Sequence, residues 1–223
     1  MQFLHHPEAG ASRLEVEGER YRYLFKVRRF HRDDPLPLRN LSDDRLYTYR
    51  VEDLDRRRAF LTLESFRDFP VLPPRALHLG WCVIDPRTIE KSLPALNEIG
   101  VTRITFIQCR RSQRNFHPDF ERLERILVNS SQQCGRSRLM ELGFSESLAG
   151  FFHDHPRSLL LDFSEKALGC DMETETLVVG CEGGFQEEER SLFPPERIVG
   201  LGTSLILRSE SAACAAAARV LLG

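Results

Sequence analysis

Two glycine-rich turns near the end of the chain carry the residues best suited to hold a small molecule. One apolar run stops at Gly180, and Glu182 then precedes two further glycines, where the absence of a Cβ lets a ligand approach the backbone. A second apolar run ends at Gly202 and leads to Arg208 and Glu210. Neighbouring strands that end in such turns predict two walls of one binding site. The alternative is a pair of ordinary strand-to-helix turns.

Other kinds of site are disfavoured by the same sequence. It contains no G-x-x-x-x-G-K-[ST] phosphate-binding loop, and the turn at Gly180 does not match G-x-G-x-x-G, which disfavours a dinucleotide. No G-x-S-x-G elbow indicates a hydrolase. His153 and His155 stand on a predicted loop, and no cluster has the spacing of metal ligands. We therefore expect no metal and a ligand held mostly by backbone groups.

Alternating strands and helices are predicted to position these turns from residue 76 onward. The strands are expected at 76–84, 101–107, 158–162, 176–180 and 198–201, and the helices at 86–99, 117–135, 187–193 and 212–222. Gly100 should end the first helix, and Ser209 or Ser211 should cap the last. The alanine-rich last helix should pack closely against another backbone, within the chain or in a second subunit. This order predicts an α/β domain with a mostly parallel sheet and helices on both faces.

The first 70 residues follow a different pattern. Short alternating segments at 13–17, 47–51 and 59–64 predict strands, and residues 21–30 have helical spacing. Strands at this rhythm suggest a small β-barrel. The prolines within 69–75 then predict a linker, because proline has no amide hydrogen to donate within a helix or between strands.

Composition limits where such a protein can act. A chain of 223 residues, 41% hydrophobic and 29% charged, can form one large domain or two small ones. We expect a cytoplasmic protein without a membrane span, since no run of about 18 apolar residues and no signal-peptide core occurs. The six cysteines include no C-x-x-C pair, which fits reduced thiols rather than a zinc ribbon or a disulfide framework.

Basic residues are concentrated in two segments of a chain whose formal net charge is −2. The segments are 21–39 and 108–138, and only three of the 31 basic residues are lysines. Arginine recognises phosphate bidentately and stacks on bases. Such patches suit a polyanion such as RNA, although a solvated charged surface is the plainer explanation.

The two turns resemble motifs of the bacterial 16S ribosomal RNA uridine-N3 methyltransferases, a family of the SPOUT superfamily. Residues 180–185, with the glutamates that follow, are similar to its G-P-E-G-G-[FL] motif, and residues 201–212 are similar to L-G-x-x-I-L-R-x-E-T-A. Weaker matches extend over nearly the whole chain. The chain departs from the family pattern at several positions, among them Ala95, Arg110, Cys181 and Ser211.

This resemblance implies both a domain organisation and a cofactor. A PUA-like RNA-binding β-barrel would occupy residues 1–70, and a SPOUT methyltransferase domain with a C-terminal trefoil knot would occupy 74–223. The knot would bind S-adenosylmethionine, and a homodimer would bury the C-terminal helix. The cofactor pocket would consist of Gly180, Glu182, Gly183, Gly184, Leu201, Gly202, Leu205, Ile206 and Leu207.

The implied reaction is methylation of N3 of a uridine in 16S rRNA, either free or within the small ribosomal subunit. N3 loses a proton as the methyl group arrives, so we hypothesise that Arg208 steadies the uracil anion or a phosphate, assisted by Arg136. Glu210 would orient Arg208 or accept the proton, although the two could instead form a salt bridge that caps the last helix. RNA contacts are expected from Arg28, Arg29, Arg111 and Arg114.

Two other functions stay open on the sequence alone. SPOUT enzymes also methylate ribose 2′-oxygens or guanine N1. A protein of a different class would bind RNA during ribosome assembly without catalysis. The intact turn at 182–184 disfavours the second alternative, because a protein that only binds RNA needs no cofactor turn.

Overall fold

The computed structural model describes residues 2–32, 34–113, 118–169 and 175–223. The chain forms two compact units. The first unit comprises residues 1–72 together with the segment 131–139, and the second comprises 73–130 and 140–223. The inclusion of 131–139 in the first unit was not predicted from the sequence. Within the described ranges, none of the helices has the length and apolarity needed to cross a membrane.

The first unit is built on a five-stranded mixed sheet. Its strands are Leu4–His5 (β1), Arg13–Glu17 (β2), Leu36–Arg39 (β3), Arg45–Leu54 (β4) and Arg58–Asp68 (β5), in the order β1-β3-β4-β5-β2. Only β1 and β3 pair in parallel; the other neighbours are antiparallel. The three strands predicted from alternation are confirmed. β1 and β3 were missed because two to four residues are too few to show a period.

Burial of alternate side chains explains the register of this sheet. Leu14 and Val16 of β2 are buried with Leu61 of β5, while their neighbours along β2 face solvent. A shift by one residue would expose both side chains, so the hydrophobic core fixes the pairing.

Helical structure after β2 begins earlier than predicted. Gly18–Tyr21 forms a helical turn (α1), and Arg22–Val27 continues it as a π-helical turn. Helical structure ends before Phe30 because Arg29 adopts a φ of 56°, in the left-handed region.

The segment 131–139 is held in the first unit by polar contacts. The Ser137 hydroxyl donates to the Asp44 carboxylate at 2.8 Å, and the Arg138 guanidinium donates to both oxygens of the same carboxylate. These hydrogen bonds, that of Arg138 first, lower the pKa of Asp44.

The second unit contains a six-stranded sheet in which every neighbouring pair is parallel. Its strands are His78–Cys82 (β6), Arg103–Ile107 (β7), Glu141–Ser145 (β8), Leu159–Leu161 (β9), Thr176–Val179 (β10) and Ile198–Val199 (β11), in the order β11-β9-β10-β6-β7-β8. The predicted parallel sheet is confirmed. All residues of β6 and β9 are buried, as expected for strands covered on both faces.

The principal helices accompany these strands. They are Pro86–Ile99 (α2), Phe120–Cys134 (α3), Leu148–Asp154 (α4), Glu187–Arg190 (α5) and Ser209–Leu221 (α6). α2 matches its prediction because Asp85 accepts a hydrogen bond from the Thr88 amide at its start, and Gly100 ends it with a φ of 113°.

Several predicted elements needed correction. β8 and α4 were not predicted, because the alternation of β8 is partly exposed and α4 has only two turns. α5 ends at Arg190, before the prolines at 194 and 195. α6 begins at Ser209, three residues early, and no side chain caps it, since the Ser209 hydroxyl is engaged elsewhere.

The alanines of α6 allow the close packing that the sequence predicted. Ala213, Ala216 and Ala217 are fully buried, and α6 packs against α2 and β10 of the same chain. The same chain therefore provides backbone segments against which α6 packs.

One expectation about the cysteines is wrong. Cys82 and Cys109, at the ends of the adjacent strands β6 and β7, form a disulfide with their Cα atoms 5.8 Å apart. Parallel pairing of the two strands brings them together, which spacing along the sequence does not reveal. Two other described cysteines, Cys181 and Cys214, are free thiols.

Candidate active site

A cavity of about 860 Å³ lies where β9, β10 and β11 end and α6 begins, and we call it the turn pocket. These three strands are neighbours in the parallel sheet, so their carboxyl ends meet at one edge. Such an edge is the usual place for a ligand in an open α/β sheet. All nine residues predicted to bind the cofactor line this cavity.

The first wall is the turn after β10. The Gly184 amide donates to the Cys181 carbonyl at 3.0 Å, and Gly184 has a φ of 65°, which favours glycine. A Cβ on Gly180 would lie 3.1 Å from the Phe185 ring, so the turn is closed tightly behind the cavity. Cys181, where the family motif has proline, is buried, and burial raises the pKa of its thiol.

The second wall is the segment after β11. Gly202 has a φ of 67°, and a Cβ there would meet nothing within 4 Å, which leaves the backbone open to a ligand. Leu205 and Ile206 line the cavity although they are 72% and 82% exposed. Side chains this apolar and this exposed indicate a surface that a ligand or partner covers.

A third wall, at 161–165 after β9, was missed by the sequence prediction. Asp162, Phe163 and Glu165 line the cavity from this side. A Cβ on Gly200 would lie 2.5 Å from the Ser164 carbonyl oxygen, so the second and third walls touch through their backbones. The sequence predicted β9 as a core strand, but only the order of the strands shows that its carboxyl end lies beside those of β10 and β11.

Charged groups in the turn pocket are mostly acidic. Among the described residues, Asp162, Glu165 and Glu182 line it, against the single guanidinium of Arg208. Asp162 forms an ion pair with Arg190 at 3.1 Å. Within the part of the chain that the structure describes, Glu165 and Glu182 form no ion pair, so the pocket is suited to a cationic ligand.

Ser209 joins the beginning of α6 to two strands. Its hydroxyl accepts from the Trp81 indole nitrogen at 2.9 Å and donates to the Gly180 carbonyl. Trp81 is fully buried in β6. This contact keeps the helix start and the first wall together, and it explains why Ser209 is not a helix cap.

Arg111 supports the first wall from outside the cavity. Its guanidinium donates to the Gly183 carbonyl at 2.7 Å. The neighbouring amide of Arg110 donates to the Glu189 carboxylate at 2.9 Å, which ties the same loop to α5. Arg111 was predicted to contact RNA, and its observed contact is with the cofactor turn.

The predicted catalytic residues lie in different places. Arg208 lines the turn pocket and is exposed, whereas Glu210 is half-buried in the first turn of α6 and is not among the lining residues. No ion pair joins the two within the described ranges, so the alternative of a capping salt bridge finds no support. Arg136 is buried in the first unit, does not line the turn pocket, and has its pKa lowered by burial.

The remaining RNA-contact predictions concern Arg28 and Arg29 of the first unit, and Arg114. Arg28 and Arg29 are exposed, and the Arg28 guanidinium donates to the Tyr23 hydroxyl at 3.1 Å. Arg114 lies outside the described residues. Among the residues with described structure, no group of three histidine, cysteine or carboxylate side chains could hold a metal ion.

Comparison with family models is decisive for the class of protein. Residues 72–221 match the model of an RNA methyltransferase domain, and residues 16–64 match that of an RNA methyltransferase PUA domain. The chain belongs to the RNA methyltransferase family. The first match covers the whole turn pocket, and the second lies within the mixed sheet of the first unit.

Individual relatives of this family extend over nearly the same length. The chain is 38% identical over 216 residues to the ribosomal RNA small subunit methyltransferase E of Helicobacter pylori, covering 95% of this chain and 96% of the relative. The enzyme of the same name from Aquifex aeolicus is 26% identical over 182 residues, covering 76% of each chain.

A solved structure has the same fold. It is the ribosomal RNA small subunit methyltransferase E of Neisseria gonorrhoeae bound to S-adenosyl methionine, with a TM-score of 0.83 and 20% identity. The match covers 98% of this chain and 95% of that structure.

Proposed function

We propose that the protein is an S-adenosylmethionine-dependent methyltransferase that modifies N3 of a uridine in 16S rRNA of the small ribosomal subunit. The observation that carries this proposal is the turn pocket, in which all nine motif residues line one cavity beside Arg208. The names of the Helicobacter pylori and Aquifex aeolicus relatives support ribosomal RNA of the small subunit as the substrate.

The residues of the turn pocket fit S-adenosylmethionine. Among the described residues, no atom lies within 4 Å of a Cβ built on Gly184 or Gly202, so a nucleoside could approach the backbone there, and Leu205 and Ile206 offer an apolar cover for its adenine ring. Glu182 would attract the positively charged sulfonium and ammonium groups. When bound, this cofactor supplies an electrophilic methyl group.

Arg208 is the residue that we assign to the reaction at the uridine. Uracil N3 loses its proton and becomes more nucleophilic as an anion, and a guanidinium beside the ring lowers the free energy of that anion. Arg208 is exposed in the cavity wall and forms no ion pair in the described structure, so its charge is available. Glu210 and Arg136 stay predicted assistants, because neither lines the cavity.

The remaining features of the proposal concern fold and assembly. We propose that residues 1–70 of the first unit form a PUA-like RNA-binding barrel, and that residues 74–223, which include all of the second unit except Pro73, form a SPOUT domain with a trefoil knot. A homodimer would cover exposed apolar side chains, among them Ile206 in the pocket wall and Leu222 after the end of α6. An enzyme with this substrate would act in the cytoplasm, where ribosomal subunits are assembled.

The test is methylation of undermodified small ribosomal subunits with mapping of the modified nucleotide. We expect a single N3-methyluridine in 16S rRNA. Methylation of a ribose 2′-oxygen or of guanine N1 would contradict the proposed reaction, and the absence of cofactor binding in calorimetry would favour a protein that only binds RNA.

Substitution of Arg208 tests its role. We expect Arg208→Ala to lower kcat about 100-fold with little change in cofactor affinity. Removal of one hydrogen-bond donor that stabilises an anion in other enzymes has an effect of about this size. Arg87→Ala is a matched control, since Arg87 is exposed in α2 and lies outside the pocket. Full activity of Arg208→Ala would exclude the assigned role.

A further inference from the structure

A second cavity, of about 600 Å³, lies within the first unit, and we call it the arginine pocket. Its volume is within the roughly 300–1,000 Å³ of small-ligand pockets. The residues used below are Phe3, Arg39, Arg67 and Phe69, which line it together with prolines and aliphatic side chains. No carboxylate is among its described lining residues.

Arg39 places a buried positive charge in the wall of this cavity. It is 1% exposed, with its guanidinium carbon 5.5 Å from the ring centres of both Phe3 and Phe69. Its terminal nitrogens donate to the carbonyls of Phe69 at 2.8 Å and of Arg45 at 3.4 Å. The buried Nε has no acceptor in the described structure. Such a donor favours a ligand that brings an acceptor oxygen.

Arg67 adds a second, exposed charge. Its guanidinium lies 4.5 Å from the centre of the Phe69 ring. Two other arginines of the same hairpin form ion pairs, since Arg45 pairs with Asp68 and Arg58 with Glu15. Within the described ranges, Arg67 has no carboxylate partner. Its charge is therefore available to an anion.

We propose that the arginine pocket binds one unpaired nucleotide of the substrate RNA. The Arg67 guanidinium lies against the exposed Phe69 ring, and together they provide one stacking surface for a base, while the two positive charges complement its phosphate. This inference rests on the proposed function, because it takes RNA as the substrate. A base in a duplex is stacked on both faces, so the pocket selects single-stranded RNA.

The stacking surface is tested with a matched pair of phenylalanines. Phe69→Leu removes the ring in the pocket. Phe60→Leu removes a similarly exposed ring on β5, the strand that Phe69 follows; the Phe60 ring lies beside the Arg58 guanidinium and outside the pocket. The probe is a fluorescein-labelled single-stranded oligouridylate. We expect about tenfold weaker binding for Phe69→Leu and less than about twofold for Phe60→Leu.

The charge is tested with a matched pair of arginines. Arg67→Gln should weaken binding of the same probe and reduce the salt slope of log K by about one. Arg57→Gln is the control, because Arg57 is also exposed and unpaired in the described structure but does not line the pocket. Equal effects of the two arginine variants, or of the two phenylalanine variants, would overturn the proposal.

Two further measurements separate this proposal from the proposed function. Crosslinking of a 4-thiouridine probe should label the peptide that contains Phe69, and absence of that crosslink contradicts the pocket whatever the variants do. Wild-type protein that methylates subunits but fails these tests would overturn the pocket alone. Wild-type protein that passes them without methylating any RNA would overturn the proposed function and leave the pocket in place.

Discussion

The turn pocket and the arginine pocket differ in what lines them and in the sign of their charge. Strand ends and glycine turns form the turn pocket, which has three carboxylates against one arginine. Side chains form the arginine pocket, which has two arginines and no described carboxylate. The difference teaches that one chain can offer binding sites of opposite charge to a cationic cofactor and to a polyanionic substrate, with each unit providing one sign.

The largest effect is expected from a substitution that forces apart the backbones of the second and third walls of the turn pocket. Gly200→Ala would place a Cβ 2.5 Å from the Ser164 carbonyl, so one of the two walls must move. We expect about 100-fold weaker cofactor binding in calorimetry, with RNA binding unchanged. Gly150→Ala is the control, because its Cβ would meet side-chain hydroxyls rather than backbone, that of Ser147 at 3.2 Å and that of Ser145 at 3.9 Å. Equal cofactor affinity of both variants would mean that backbone contact does not shape this pocket.

Ionic strength should distinguish the two pockets in the wild-type protein. With about three phosphate contacts, affinity for single-stranded RNA should fall about 20-fold between 50 and 200 mM salt. Affinity for S-adenosylmethionine should change less than about twofold, since few ions are displaced. Parallel titrations of both ligands measure the two slopes. An equal dependence of both affinities on salt would contradict the proposed difference in charge between the two pockets.

Removing a carboxylate from the turn pocket should have a smaller effect. Glu182→Gln keeps the size of the side chain and removes its charge, so we expect about fivefold weaker binding of S-adenosylmethionine. S-adenosylhomocysteine, whose sulfur is a neutral thioether, should lose less affinity on the same substitution if Glu182 faces the sulfur. Calorimetry with both ligands measures the ratio, and an unchanged affinity for each would remove Glu182 from the site.

The smallest effect concerns Arg111, which the sequence assigned to RNA. Its hydrogen bond to Gly183 predicts that Arg111→Ala weakens cofactor binding about threefold and leaves oligouridylate binding unchanged. The opposite result would restore the original prediction. Arg28→Ala is a suitable comparison, because Arg28 is exposed in the first unit and contacts only Tyr23 among the described residues.

Local signals explain which parts of the fold could be predicted. Helix α2 was placed residue for residue, because its cap Asp85 and its terminator Gly100 act within one turn of its ends. Strand β8 was missed, since its residues are exposed or partly exposed and do not alternate clearly between buried and exposed positions. The disulfide between Cys82 and Cys109 depends on strand pairing, which no local pattern encodes.

The candidate sites show the same division. The glycines of the turn pocket were identified because glycine marks a backbone that must stay open. Its third wall, around Phe163, carries no such mark and became visible only through the order of the strands. The arginine pocket escaped prediction altogether, because Arg39 and Phe69 are far apart in the sequence and meet only in the folded unit.

The segment 131–139 has a consequence for the order of events during synthesis. Ser137 and Arg138 complete the first unit by contacting Asp44, yet they follow residue 72 by more than sixty positions. Domains generally fold as they leave the ribosome, amino-terminal first. Here the first unit cannot be finished until β6, α2 and β7 have also been translated. A fragment that stops at residue 72 would therefore be an incomplete unit.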